Sequence, residues 1–85
     1  MKKIKFTKHA EEKFKILKRH GVSFDKKLII NAIKKPNNIL IGSKNRLIAQ
    51  KNINEKHILR VIYEETSDEI VVITFYPARR NRYEN

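Results

Sequence analysis

The sequence predicts an α+β domain in which two N-terminal helices pack on one face of a four-stranded antiparallel β-meander. Three observations predict it. Apolar residues recur at helical spacing as far as residue 35. Beyond Pro36 they alternate or run in short blocks, as strands do. The breaks between those blocks are short and polar, so neighbouring strands run antiparallel.

Ile4, Lys5 and Phe6 read as a short lead-in strand. Thr7 is suited to cap the helix that follows, with Glu11 and Glu12 near its positive end. This helix runs to about His20, where Gly21 supplies a stop, and Ala10, Phe14 and Leu17 share one side of it. Ser23 can cap a second helix that ends at Lys35, because Pro36 disfavours helix in the residue before it. Leu28, Ile29, Ile30, Ala32 and Ile33 wrap most of its circumference, which predicts a helix pressed between the sheet and the first helix. The predicted strands are 39–42, 46–51, 57–64 and 69–76, with breaks at 43–45, 52–54 and 65–68. The last nine residues read as a basic tail with one aromatic, Tyr83.

With 85 residues the chain is one domain, 1–85, without repeats or linkers. It has no cysteine, which leaves no disulfide framework or thiolate metal site and fits the expected cytoplasmic location. Its apolar runs are far too short to span a membrane, and no long apolar segment follows the basic start, so no secretory signal is expected. The first helix is basic, but its apolar stripe is narrow and is claimed by a core rather than by a membrane surface. A mean hydropathy of −0.61 suits a soluble, folded domain.

Charge dominates the composition. Lys and Arg number 20 against 9 acids, a net charge of +11. A chain rich in Lys, Ile and Asn also fits AT-rich coding, but the charge is uneven. Residues 1–35 hold 12 basic and 3 acidic residues, while residues 36–85 hold 8 and 6. A basic half of this kind attracts phosphate backbones and acidic proteins.

Two stretches resemble a known family. Phe6-Thr7-Lys8-His9-Ala10-Glu11-Glu12-Lys13, followed by Arg19-His20-Gly21-Val22-Ser23, resembles the opening of a RelE/ParE-type branch. That opening has a strand, a His-Ala pair and a helix ending in an Arg-x-Gly-[Ile/Val]-Ser turn. The strand through Phe75, followed by Tyr76-Pro77-Ala78-Arg79-Arg80-Asn81-Arg82-Tyr83, is similar to the end of BrnT-type toxins. The resemblance spans nearly the whole chain. It implies a toxin of a toxin–antitoxin pair that cuts RNA through its own 2′-OH, on or off the ribosome, with no metal or cofactor. It also implies a cognate antitoxin as partner. The same superfamily includes ParE-like toxins that bind a DNA topoisomerase without cutting RNA, and relatives that only bind nucleic acid.

RNA cleavage of this kind needs a base for the 2′-OH proton, cations at the phosphate and an acid for the departing 5′-oxygen. His9 and Lys13 lie four apart on one helical face, and His20 falls on the same stripe. Histidine is the residue type suited to acid or base work near neutrality. His9 is therefore the candidate acid or base, with Lys13 second; a plain hydrogen bond at a helix start is the alternative for His9, and a helix-end position that for His20. Arg60 interrupts an apolar strand, on the face opposite Leu59, Val61 and Tyr63, and its planar fork suits phosphate. A carboxylate partner or a solvated sheet face is its alternative. Tyr76 can orient the phosphate or stack on a base, or else merely cap the core edge. The resemblance places a functional Arg and Tyr at the C-terminal end, so Arg79 joins Arg60 at the phosphate. Arg80, Arg82 and Tyr83 are expected to contact RNA, since basic residues interleaved with an aromatic suit single strands; a solvated tail is the alternative. Arg46, at the start of the second meander strand, is a further phosphate candidate. His57 begins a strand without an evident role. The three histidines lack metal-ligand spacing, and there is neither a glycine-rich phosphate loop nor a Ser-His-Asp arrangement.

Overall fold

The first helix begins and ends at the signals in its sequence. In the computed structural model, which describes residues 2–83 and side chains as far as Asn81, helix α1 spans Lys8–Arg19. Thr7 Oγ1 accepts a hydrogen bond from the Ala10 N–H at 3.1 Å, satisfying one of the free donors of the first turn. At the other end Gly21 takes φ +80°, and the N–H groups of Gly21 and Val22 donate to the carbonyls of Lys18 and Leu17. Helix α2 spans Lys26–Lys34. Its cap is Asp25 rather than Ser23: Asp25 Oδ1 accepts from the Leu28 N–H at 2.9 Å. A carboxylate is the stronger partner at the positive end of a helix. Phe24, drawn toward Phe75 with ring centroids 6.4 Å apart, keeps the preceding residues out of the helix.

The strands are β1 (Lys3–Phe6), β2 (Asn38–Ile41), β3 (Leu47–Asn52), β4 (His57–Glu65) and β5 (Glu69–Arg79), with a short α3 (Arg80–Tyr83) after them. The order across the sheet is β1-β5-β4-β3-β2. This corrects the expected four-stranded antiparallel meander. The last four strands do form a meander, but β1 adds a fifth, pairing parallel to β5 from Lys3↔Glu69 to Phe6↔Val72. Two helices separate β1 from β2, so the chain start is free to cross to the far edge and cover backbone groups that β5 would otherwise expose. Ile4 and Phe6 alternate with lysines and turn toward the core.

The expected tail is also revised. Residues 77–79 continue β5, and Arg80 opens α3. Pro77 is accommodated because β1 stops at Phe6↔Val72, leaving β5 an edge strand where a missing N–H is tolerated.

The core lies between the helices and one sheet face. Ala49, Val61 and Phe75 form a cross-strand row with no exposed surface. Phe75 packs on Phe14 with ring centroids 4.6 Å apart, and Phe14 on Phe6 at 5.8 Å. Alanines at 10, 32 and 49, all fully buried, let the helices approach the strands closely. Helix α1 lies over β5 and β1, and α2 over β3 and β4. The two helices thus sit side by side on the sheet, and α2 is not sandwiched between the sheet and α1 as its apolar circumference predicted.

Two stability outcomes follow. Phe75→Ala is expected to cost about 3–5 kcal/mol in chemical denaturation, a large share of the stability of so small a domain. Tyr63 sits in the core, and burial, reinforced by the charge of Glu65, pushes its phenol above the ordinary value of 10.0. The folded state therefore holds this proton more tightly than the unfolded chain does. The stability it contributes is complete below pH 10 and is lost as pH rises through the raised value. Tyr63→Phe should flatten that part of the alkaline loss of stability in melts recorded on both sides of pH 10.

Candidate nucleic-acid interface

The period of two along a strand decides which polar side chains can meet. Leu59, Val61, Phe75 and Ala49 face the helices, so Arg60, Gln50 and Tyr76 point to the other face. They are cross-strand partners in one row, Gln50↔Arg60↔Tyr76. The Arg60 guanidinium carbon lies 5.8 Å from the centre of the Tyr76 ring, a cation–π arrangement. Arg60 is 8 % exposed and Gln50 4 %. Among the described residues, Gln50 Oε1 meets no hydrogen-bond donor.

The neighbouring row ends in Thr74, opposite Ile62. His9 Nε2 lies 3.2 Å from Thr74 Oγ1, joining the start of α1 to this row. The sheet is irregular here. The register shifts between Ile62 and Tyr63, leaving Ile73 as the extra residue of a bulge. The Thr7 hydroxyl donates to the Ile73 carbonyl at 3.1 Å while it accepts from Ala10, so one side chain caps α1 and fastens it to the bulge. His9 follows two residues later, and the same fastening sets it against Thr74. Lys13 lies one turn further along α1, half-buried.

The structure therefore brings His9, through Thr74, to within two residues along β5 of the Tyr76–Arg60–Gln50 row, and these five residues form a polar track. Arg79 does not join it. It stands three residues from Tyr76 on the same strand, hence on the opposite face, paired with His57. The expected phosphate clamp of Arg60 with Arg79 is corrected accordingly. Arg46 shares the face of Arg60 but is bound to Glu64 at 3.1 Å. Arg80 Nη1 donates to the Glu55 carbonyl at 3.5 Å. The side chains of Arg82 and Tyr83 lie outside the described residues. Gln50 and Thr74 were missed by the sequence reading, because only the register of β3 and β5 against β4 identifies them.

Surface ion pairs absorb part of the charge: Lys2 with Glu65, Lys5 with Glu69, Lys26 with Glu11, and Arg46 with Glu64. All lie at the surface, at least partly exposed, and such pairs contribute little to stability. Their effect is to occupy acids, leaving a net positive surface for a polyanion. Compared with protein-family models, curated protein sequences and solved structures, the chain finds no match.

Because one hydroxyl fastens helix to sheet, Thr7→Val is expected to cost about 1–2 kcal/mol, the usual cost of losing a cap, while Thr7→Ser restores most of it. In ¹H–¹⁵N spectra, Thr7→Val should also move the signals of His9 and Thr74, and Thr7→Ser should return them.

Proposed function

We propose that this protein is a toxin of the RelE/ParE type that cuts RNA without a metal, using the polar track on the sheet face opposite α1 and α2. The observation that carries the reading is the meeting of His9, Tyr76 and Arg60 along that track, in a chain of net charge +11. In the reaction the RNA 2′-oxygen attacks phosphorus and the bond to the 5′-oxygen breaks, leaving a 2′,3′-cyclic phosphate. The 2′-hydroxyl proton passes to a base and the departing 5′-oxygen takes one from an acid to leave as a hydroxyl; His9, exposed at the head of α1, serves as the acid or the base. Tyr76 orients the phosphate or stacks on a base. Arg60, set against the ring of Tyr76, provides positive charge along the face.

The partner in this reading is a cognate antitoxin with an acidic segment. Strand β2 offers it a landing place. Ile39, Leu40 and Ile41 are 52 %, 42 % and 84 % exposed on an edge strand whose outer side has no neighbour among the described strands. An extended segment added there would satisfy the edge and cover the aliphatic side chains.

The low exposure of Arg60 favours a second reading, in which the face binds without cutting, as in a ParE-like topoisomerase inhibitor or an inactive nucleic-acid-binding relative. Incubation with a long RNA in a chelator separates the two. The nuclease reading expects discrete products with cyclic phosphate ends. His9→Ala should slow cleavage by about 10²–10⁴-fold. Tyr76→Phe should slow it less, and both variants should melt as the wild type does. RNA left intact, both free and on ribosomes, with binding retained, would establish the binding reading instead. In co-purification with the product of a neighbouring reading frame, Ile39→Asp with Ile41→Asp should weaken capture and leave RNA cleavage unchanged. Capture at wild-type strength would remove β2 as the docking edge.

A further inference from the structure

Where β4 begins and β5 ends, the chain surrounds a concavity of about 390 Å³ lined by Glu55, Lys56, His57, Arg79, Arg80 and Asn81. It lies outside the polar track and away from the β2 edge. His57 and Arg79 are cross-strand partners, on the face opposite Arg60 and Tyr76. Lys56, Arg79 and Arg80 against the single carboxylate of Glu55 leave the lining two charges positive, and three when His57 is protonated. Arg80 is anchored beside it, its N–H donating to the Lys56 carbonyl at 2.9 Å.

His57 is held in one tautomer. Asn54 Oδ1 accepts from the backbone N–H groups of Lys56 and His57, each at 2.9 Å. Two N–H donors on one atom identify that atom as the amide oxygen. His57 Nδ1, 3.3 Å from the same oxygen, must then be a donor as well. The neutral ring therefore carries its hydrogen on Nδ1 and its lone pair on Nε2. Protonation turns Nε2 into a second donor, with Nδ1 still bound to Asn54. A ring oriented by its turn, beside an exposed cross-strand arginine and an exposed lysine, places donors of the right kind for a tetrahedral anion around one concavity.

We propose that this concavity is a phosphate-binding site that takes the phosphate group of a nucleotide, with Lys56, Arg79 and protonated His57 as donors. The anion site stands on the concavity itself; only its assignment to a nucleotide rests on the RNA reading above. The row of His57 lies three residues along β4 from that of Arg60, about 10 Å at the usual rise of a strand. One nucleic-acid strand passing around the end of the sheet can therefore reach both places.

The test is a titration of the isotopically labelled full chain, followed by the ring nitrogens of His57 and the side-chain signals of Lys56 and Arg79. The probes are inorganic phosphate, adenosine 5′-monophosphate, adenosine, and a dinucleoside monophosphate whose only phosphate is an internal diester. Phosphate and the monophosphate should produce saturable shifts at these three residues, and adenosine should not. Lys56→Ala and Arg79→Ala should each weaken binding by about tenfold or more. A diester that binds as well as the monophosphate assigns the site to the interior of a strand; binding of the monoester alone assigns it to a strand end. Equal shifts at Lys15, Lys18 and Arg19 of α1, or an equal response to adenosine, would overturn the proposal. His9→Ala is expected to keep the phosphate response whether or not the wild type cuts RNA, so failure of the nuclease reading and failure of this site are seen separately.

Discussion

The Thr7 hydroxyl is the joint on which the arrangement depends. It accepts from the first turn of α1 and donates to the carbonyl at the β5 bulge. A helix laid on a sheet can slide along it, since apolar contact is non-directional. The two hydrogen bonds supply the direction that the core lacks. Ahead of Thr7 the chain pairs as β1, and behind it the helix begins, so a single residue fixes both the parallel edge and the seat of α1. The Thr7 N–H completes the arrangement by donating to the Val72 carbonyl at 3.1 Å.

From that joint the division of labour across the sheet follows. Strands β4 and β5 present Val61 and Phe75 to the helices and Arg60 and Tyr76 to the opposite face. The same residues that order the core therefore order the polar row, because neighbouring positions on a strand cannot move independently. The bulge at Ile73 keeps Phe75 opposite Val61 while changing the phase of the strand toward β1. It also lets the start of α1 approach β5, where His9 reaches Thr74. Charge is arranged on top of this frame, with four surface acids engaged by basic partners and a net positive excess remaining.

Local signals made most of the elements legible. The Thr7 cap, the Gly21 stop, the Pro36 boundary and the polar breaks between strands each act within a few residues of themselves. What the sequence did not reveal depends on contacts between distant segments. The parallel docking of β1 on β5 is a choice of neighbour, and a short strand such as Lys3–Phe6 carries no mark of its partner. The choice of Asp25 over Ser23 turns on where Phe24 goes, which only the aromatic cluster decides. At the site, Arg60 was correctly set on the face away from the core by alternation alone. Arg79 joined Arg60 in the expected clamp through the family resemblance, which carries no strand register. Once residues 77–79 are known to be strand, the odd offset from Tyr76 puts Arg79 across the sheet. Gln50 and Thr74 lay hidden for the same reason, since their roles come from register.

In the reading proposed above, RNA lies on the sheet face opposite α1 and α2. The most direct measurement is photo-crosslinking to a single-stranded RNA that carries thiouridine and a 2′-deoxy block against cleavage, with adducts located by mass spectrometry. Attachment to the β5 segment at Tyr76, lost when Tyr76 is replaced by Ala while attachment elsewhere stays low, is the predicted result. Attachment confined to the exposed lysines of α1, with β5 unlabelled, would contradict it.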